Sequence, residues 1–346
     1  MKNIYPIYFK GLVLEGKKKI NLRQIMFDGP LKQNQVLIKL SYSGICGKQV
    51  EEYNFKMGKD KFIPHLLGHE GSGIVLDIGN NVKHVKKNDH VVLHWMQNKN
   101  GRDAETALYR YKNKQKLINS GRITTFSEYS VVSSNRVTKI SKDENFKIAA
   151  LMGCCITTGI GTVLNQSKVK KNEKILIVGA GGVGLSIIVG LKIAKNENIT
   201  VADIKNSNLK KAKTFKKIKT INPLQKNIKK ENYDHIFITS GEKKAIKFGI
   251  DSSNPPSNIY FVGVPSPKTF IRISALDIHR KKNFFGSTGG EIEPSKDIQK
   301  YLDYYKKNKK IFNKVILSVS KITQVPKIID KMSKGQINYG RNLIKF

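Results

Sequence analysis

Residues 174–195 read KILIVGAGGVGLSIIVGLKIAK, and this stretch decides the fold. Its four aliphatic residues after Lys174 are typical of a buried strand, and the apolar run after the glycines is typical of a helix. Between them, Gly179, Gly181 and Gly184 form the spacing G-x-G-x-x-G. A strand, a glycine turn and a helix in this order predict a dinucleotide-binding unit, because the helix N-terminus then faces a pyrophosphate.

The nature of the dinucleotide follows from the next predicted strand, which ends at Val201-Ala202-Asp203. It places a carboxylate about twenty residues beyond the glycines, where it binds the ribose hydroxyls and repels a 2′-phosphate. We therefore expect NAD rather than NADP, although Lys205 nearby leaves dual use open. The expected cofactor contacts of this motif are Gly179, Gly181, Gly182, Gly184 and Asp203.

The predicted pattern of secondary structure changes near Cys155. Before it, short β-rich runs separated by turns (VLIKLSYSG, GSGIVLDIG, DHVVLHW) predict an irregular β domain, with polar residues 97–122 as a surface lobe. After it, alternating strands and helices predict a parallel, doubly wound sheet. Towards the end, SKDIQKYLDYYKKN predicts an amphipathic helix and GRNLIKF a final strand. A chain of 346 residues is long for one core, so two domains are expected.

Two cysteines and a histidine stand in glycine-rich surroundings. Cys46 lies in SGICG, His69 in GHE and Cys154 in MGCC. A Cys, a His and a Cys are able to supply the three ligands of a catalytic zinc, with the fourth position left for water or a substrate oxygen. Their spacing alone does not separate this from small buried cysteines and an ordinary histidine.

The sequence motifs around these residues resemble those of a known family. SGICG, LLGHEGSGIV, FSEYSVV, GCCITTGIG and VGAGGVGLS, in this order, resemble the zinc-containing medium-chain alcohol dehydrogenase family over essentially the whole chain. The resemblance implies an α/β protein with an irregular β-rich, GroES-like catalytic domain and a doubly wound Rossmann domain. The implied bounds are 1–155 and 288–346 for the catalytic domain and 156–287 for the Rossmann domain, with the active site in the cleft.

The resemblance also implies roles for individual residues. The zinc ligands would be Cys46, His69 and Cys154, with Glu70 as an acid beside the metal. Thr158 and Val183 would hold the nicotinamide, Arg341 would contact the pyrophosphate, and Trp95 would line the substrate pocket.

Three departures from the family pattern stand out. Residues 97–122 contain no cysteine, so the family's structural zinc is not expected and one zinc per chain is. Lys48 stands where many members have the Ser or Thr hydroxyl that relays the alcohol proton, and Gln49 where many have Asp. Lys48 is then either the group that takes the proton or a ligand for an anionic part of the substrate, with Glu51 near enough along the helix to pair with it.

The expected activity is a reversible hydride transfer between an alcohol or polyol and NAD, with zinc as a Lewis acid. An alternative is a sugar or polyol derivative whose anionic group binds Lys48. A zinc-free reductase would lack the Cys and His trio. A non-catalytic, polyanion-binding protein would account for the charge but not for the metal and dinucleotide motifs together.

The formal net charge is +37. Only 8 of the 63 basic residues are Arg, and the 55 Lys are dispersed over nearly every loop, which predicts a solvated surface rather than a nucleic-acid site. Three cysteines form no disulfide framework, and neither an export signal nor a membrane span is evident, so a cytoplasmic protein is expected. The strand NIYFVGVP and the segment after it resemble the family's dimer-forming edge, which predicts a homodimer.

Overall fold

The computed structural model describes residues 4–225, 231–337 and 340–346, without the side chain of Lys114. The chain forms two compact units. The first comprises Met1–Cys154, Glu293–Lys306 and Ile316–Phe346, and the second Cys155–Ile292 and Lys307–Val315. Residues 288–292 and Lys307–Val315 thus group with the second unit, whereas the resemblance implies that all of 288–346 belongs to the catalytic domain. No helix in the described ranges is long and apolar enough to cross a membrane.

The first unit is built mainly from strands. They are β1 (Ile7–Gly16), β2 (Lys19–Phe27), β3 (Gln35–Ile45), β4 (His65–Leu66), β5 (Gly71–Ile78), β6 (His90–Leu93), β7 (Tyr109–Tyr111), β8 (Lys114–Ile118), β9 (Tyr129–Ser133), β10 (Val137–Ile140), β17 (Ile316–Lys321) and β18 (Arg341–Lys345). Its helices are α1 (Gly47–Asn54), α2 (Phe146–Leu151), α8 (Pro294–Lys307, whose last residue counts with the second unit) and α10 (Val325–Ser333).

Two sheets organise these strands. One has the order β4-β1-β2-β7-β8, and the other has the order β10-β6-β5-β3-β18-β17, with β9 also paired to β3. The C-terminal strand β18 runs antiparallel to β3, and Asn342 faces Ile45. Sheet pairing therefore brings the end of the chain beside the residue that follows β3, which is Cys46.

The polar lobe at residues 97–122 contains a hairpin that its sequence pattern does not reveal. Strands β7 and β8 pair with each other, and β7 joins the first sheet through β2. The hairpin is anchored by Tyr109, which is fully buried and lies edge-on to Phe9 at a centroid distance of 5.8 Å. Its hydroxyl accepts a hydrogen bond from the backbone N–H of Val131 at 2.9 Å. Aromatic packing thus holds a lobe that contains no cysteine.

The second unit alternates helices and parallel strands. Its helices are α3 (Cys155–Gly161), α4 (Gly182–Ile193), α5 (Asn206–Lys213), α6 (Lys243–Asp251), α7 (Ala275–His279) and α9 (Lys309–Asn313), and a π-helix covers Thr162–Ser167. Its strands are β11 (Ile175–Val178), β12 (Ile199–Ala202), β13 (Ile218–Ile221), β14 (His235–Ile238), β15 (Ser257–Phe261) and β16 (Lys282–Gly286). The order β13-β12-β11-β14-β15-β16, parallel throughout, confirms the doubly wound sheet.

The predicted dimer-forming edge, NIYFVGVP and the segment after it, contains both an interior strand and an edge strand of this sheet. NIYFVGVP contributes β15, which pairs with β14 on one side and β16 on the other. The edge strand is β16, whose sequence KNFFG is too short and polar at its start to stand out as a strand. Phe285 on this strand is 40% exposed. Within the predicted region, the edge is therefore the segment after NIYFVGVP and not that strand itself.

Candidate active site

Three side chains from separate parts of the first unit converge. Cys46 is the N-cap of α1 at the end of β3, His69 lies in the turn between β4 and β5, and Cys154 follows α2. One ligand atom from each lies within 4.8 Å of the other two. A tetrahedral zinc bound at about 2.3 Å to sulfur and about 2.0 Å to nitrogen holds its ligand atoms roughly 3.5–3.8 Å apart. The residues therefore fit one zinc ion, and the described ranges contain no second group of this kind.

Glycines beside the ligands allow this approach. Gly68, which precedes His69, has φ of +92°, and a Cβ there would lie 2.3 Å from Thr125 Oγ1. A Cβ on Gly153, which precedes the second cysteine ligand, would lie 2.2 Å from the carbonyl oxygen of Leu93. Any larger residue at either position would push the ligand away, so these two glycines belong to the metal site.

The two ligand cysteines share a hydrogen bond. Donation from Cys154 lowers the pKa of Cys46 well below its ordinary value in spite of burial, and the nearby charge of Arg341 acts in the same direction. The same bond, together with burial, raises the pKa of Cys154. Burial is the largest influence on His69 and lowers its pKa, but the hydrogen bond to Cys46 and the negative charges of Cys46, Glu70 and Glu52 together raise the pKa above its ordinary value. Without a metal, the surroundings thus favour the thiolate at Cys46 more than at Cys154, and the thiolate is the form in which either cysteine binds a metal.

An ion pair lies directly behind the ligands. The Glu70 carboxylate and the Arg341 guanidinium are 3.0 Å apart, and their side chains are 0% and 3% exposed. Arg341 reaches this position because β18 pairs with β3. In this structure the guanidinium contacts Glu70, whereas its contact to a pyrophosphate stays a prediction. Removing one partner of such a buried pair typically costs about 3–5 kcal/mol.

Gln49 is part of the site, although the sequence marked it only as a departure from a family pattern. It is 1% exposed. Its Oε1 accepts a hydrogen bond from the Cys46 backbone N–H at 3.1 Å, and its Nε2 lies 2.8 Å from Nδ1 of His69. The sequence does indicate the contact to the Cys46 backbone, because Gln three residues after an N-cap is a capping-box pattern.

Lys48 lies on the first turn of α1, next to the first ligand in the chain. Its side chain is 36% exposed, and its Nζ lies 3.4 Å from Glu51 Oε2. Lys56 approaches the other oxygen of Glu51 at 3.8 Å. The expected pairing of Lys48 with Glu51 is thus present, and two lysines share one carboxylate.

Trp95 lies near the second cysteine ligand. Its backbone N–H donates to the carbonyl of Gly153 at 3.3 Å, and its side chain is half-buried. Arg136 donates to the Trp95 carbonyl, which holds this segment in place. This position is compatible with the expected role of Trp95 in lining a substrate pocket, which stays a prediction.

The glycine motif of the second unit has the geometry that its sequence predicts. Gly179 has φ of +101°, and Gly181 is the N-cap of α4. A Cβ on Gly184 would lie 2.0 Å from the carbonyl oxygen of Gly179, so only glycine lets the helix start this close to the strand. Asp203 Oδ2 accepts a hydrogen bond from the backbone N–H of Ala180 at 2.8 Å, and this bond ties the carboxylate to the glycine turn.

The residues expected to hold the nicotinamide also lie in the second unit. Thr158 is on α3 and is 7% exposed, and Val183 is on the first turn of α4 with a half-buried side chain. Cys155, the neighbour of the ligand Cys154, is fully buried and lies 3.3 Å from Ser186 Oγ. Cys155 is therefore a packed core residue of this unit and not a metal ligand.

Two family models match the chain. A model of the alcohol dehydrogenase GroES-like domain matches residues 32–142, and a model of zinc-binding dehydrogenases matches residues 182–307. The first match contains Cys46 and His69, and the second contains Asp203. The ligand Cys154 and the first two glycines of the dinucleotide motif lie between the two matches.

Similar proteins include two named dehydrogenases. The chain is 24% identical to alcohol dehydrogenase class-3 of Cereibacter sphaeroides, over 94% of this chain and 96% of that protein. It is 30% identical to S-(hydroxymethyl)glutathione dehydrogenase of Photobacterium damsela subsp. piscicida, over 65% of this chain and 69% of that protein.

Solved structures show the same fold. A zinc-binding domain alcohol dehydrogenase protein from Burkholderia ambifaria superposes with a TM-score of 0.88 at 21% identity, covering 99% of both chains. Benzyl alcohol dehydrogenase from Acinetobacter calcoaceticus superposes with a TM-score of 0.85 at 24% identity, covering 98% of this chain and 99% of that one. These two similarities concern the fold, which both proteins share over nearly their whole length.

Proposed function

Because the chain belongs to the zinc-containing medium-chain alcohol dehydrogenase family, whose members are oxidoreductases acting on CH–OH groups, we propose that it oxidises an alcohol or polyol reversibly with NAD at one zinc ion. The observation that carries the proposal is the convergence of Cys46, His69 and Cys154 in a chain that also forms the glycine turn tied to Asp203. A metal site would supply the Lewis acid and a dinucleotide motif the hydride acceptor of a zinc-dependent alcohol oxidation.

Cys46, His69 and Cys154 would hold the zinc ion, which would supply a Lewis acid for the alcohol hydroxyl, and bound NAD would supply the hydride acceptor. The chain's own residues supply the rest. The lowered pKa of Cys46 favours its thiolate, and Glu70 with Arg341 places a compensated ion pair behind the ligands. Trp95 would bound the substrate, and Thr158 with Val183 would orient the nicotinamide ring.

Proton removal from the alcohol is the step in which this chain departs from its family. We assign it to the turn of α1 that carries Lys48, which stands at the position of the family's proton-relaying hydroxyl. Lys48 would take the proton as its neutral amine and become the ammonium that pairs with Glu51 at 3.4 Å. The same cation suits an anionic substrate group. In favour of an anionic substrate are the net charge of +37 and the name of the relative S-(hydroxymethyl)glutathione dehydrogenase, because glutathione carries carboxylates.

The direct test is a screen of alcohols, polyols and anionic derivatives with NAD, in which NADH formation is measured. The assay is run before and after treatment of the protein with a zinc chelator. The proposal predicts at least one substrate that is oxidised and a loss of activity that zinc restores. Activity that persists after complete removal of zinc would overturn the metal role. Tight binding to polyanions without turnover of any substrate would favour the non-enzymatic alternative.

Asp203 should set the preference for NAD. Asp203→Asn removes the negative charge that would repel a 2′-phosphate but retains an oxygen that is able to accept the Ala180 N–H. We expect the ratio of kcat/KM for NAD over NADP to fall at least about tenfold, since one lost charge interaction of about 1.4 kcal/mol changes a rate ratio by that factor. Asp251→Asn, on an exposed helix position of the same unit, is the matched control. A wild type that uses NADP as efficiently as NAD would contradict the assignment.

We also propose a homodimer formed along the edge strand β16. Leu276 and Ile278 precede this strand and are each 53% exposed, and Phe285 on it is 40% exposed. An exposed apolar strand edge of this kind is normally covered. A monomeric mass by light scattering at micromolar concentration in moderate salt would overturn this.

A further inference from the structure

Gln49 joins two of the metal ligands through hydrogen bonds. Its backbone N–H and the Cys46 side chain form one half of a capping box, and its Oε1 accepts from the Cys46 backbone N–H at 3.1 Å. Its Nε2 lies 2.8 Å from Nδ1 of His69. At 1% exposure, the carboxamide has little access to water as an alternative partner.

The two ends of this carboxamide have opposite hydrogen-bonding character. A backbone N–H is only able to donate, so the N–H of Cys46 requires the oxygen end of Gln49. The NH₂ end then faces Nδ1 of His69, which has to accept. A neutral imidazole that accepts at Nδ1 carries its proton on Nε2. In this tautomer both ends of the Gln49 carboxamide have a suitable partner.

A metal on His69 reverses this requirement. The nitrogen that faces the cysteines gives its lone pair to the metal, so a neutral imidazole carries its proton on Nδ1. The Nδ1–H then meets the NH₂ of Gln49, and two donors face each other. A half-turn of the carboxamide gives His69 its acceptor but turns the NH₂ towards the N–H of Cys46. One mismatched pair remains in either orientation.

We propose that Gln49 is a positioning residue that couples metal binding at His69 to the N-cap of α1, and that it holds zinc affinity below the level an acceptor at both ends would give. The inference rests on the proposed zinc function. Gln49→Glu keeps the size of the side chain and offers an oxygen to both donors. Gln49→Met keeps the approximate size and offers an acceptor to neither.

The test is the zinc dissociation constant, measured by competition with a chromophoric chelator. Partners that orient a metal-bound histidine are typically worth about 10–100-fold in metal affinity, so we expect Gln49→Glu to bind zinc about 10–100-fold more tightly than wild type. Gln49→Met should bind more weakly than wild type. Lys48→Gln is the matched control, because it makes the same change in net charge on the same helix turn and leaves the His69 contact intact.

Each outcome has a defined meaning. If Gln49→Glu and Lys48→Gln raise zinc affinity equally, the effect is one of net charge alone and the inference is overturned. A zinc affinity of Gln49→Met equal to that of wild type would also overturn it. Histidine ¹⁵N resonances supply a second readout. In wild type, Nδ1 of His69 should be unprotonated without zinc and protonated with it, whereas in Gln49→Glu it should be protonated in both. A wild type that binds no zinc while folded would overturn the proposed function itself.

Discussion

Replacing Cys46 or His69 with alanine should lower kcat/KM for alcohol oxidation by at least about 10³-fold, because the Lewis-acid contribution of a metal is worth several kcal/mol. The same variants should lose bound zinc. Binding of NADH should stay within about threefold of wild type, since the predicted cofactor contacts around Gly179 and Asp203 lie in the other structural unit and are untouched.

A neighbouring cysteine provides the control. Cys155→Ala removes a thiol next to Cys154, yet Cys155 packs against Ser186 in the second unit and is not in the ligand cluster. Zinc content and turnover should therefore survive in Cys155→Ala and fail in Cys154→Ala. Loss of NADH binding in all of these variants, together with a changed circular dichroism spectrum, would indicate misfolding instead. Normal turnover in Cys46→Ala would contradict the metal site.

Lys48→Met should lower kcat/KM about 10²–10⁴-fold on the best substrate, the range typical of a general acid–base group. If Lys48 moves the proton, the loss should fall on kcat and change its pH dependence. If it binds an anionic substituent, the loss should appear as a higher KM for charged substrates only. The two roles are thus separated by one variant and two substrates.

Lys56→Met is the matched control for Lys48, because both ammonium groups approach the same Glu51 carboxylate, at 3.8 Å and 3.4 Å. A general effect of losing one lysine, or of releasing Glu51, would appear in both variants. If Lys48→Met has the kinetics of wild type for neutral and anionic substrates, Lys48 has no role in the reaction and is an ordinary solvated lysine. Proton transfer would then fall to water and Glu70.

The glycines made much of this architecture predictable. The turn at Gly179 requires a positive φ and the position of Gly184 excludes a Cβ, so a short stretch of sequence specifies a strand, a turn and a helix. The helix α8 was equally readable, since Ile298, Leu302 and Tyr305 recur at helical spacing and are all buried.

The strands that escaped prediction share a physical reason. β7 and β8 are short and mostly polar, and they are held by two buried side chains, Tyr109 and Ile118, in a core cluster that also contains the distant Phe9. The edge strand β16 likewise depends on pairing with β15 and not on its own pattern. Such contacts between distant segments are not visible in local periodicity.

The zinc ligands could be predicted from sequence motifs, but the contacts that surround and orient these ligands could not. Nothing in the sequence indicates that Arg341 would be 3% exposed and 3.0 Å from Glu70, because the contact depends on β18 pairing with β3. Gln49 was visible as an unusual residue, yet its link to His69 depends on where the turn before β5 places the imidazole.

The metal content of purified, active protein tests the central claim most directly. Protein prepared under reducing conditions without chelators should contain one zinc per chain by elemental analysis, because the described residues contain one cluster of suitable ligands. That zinc should be lost in Cys46→Ala and retained in Cys155→Ala. Two zinc ions per chain, or none in protein that still turns over substrate, would contradict the account.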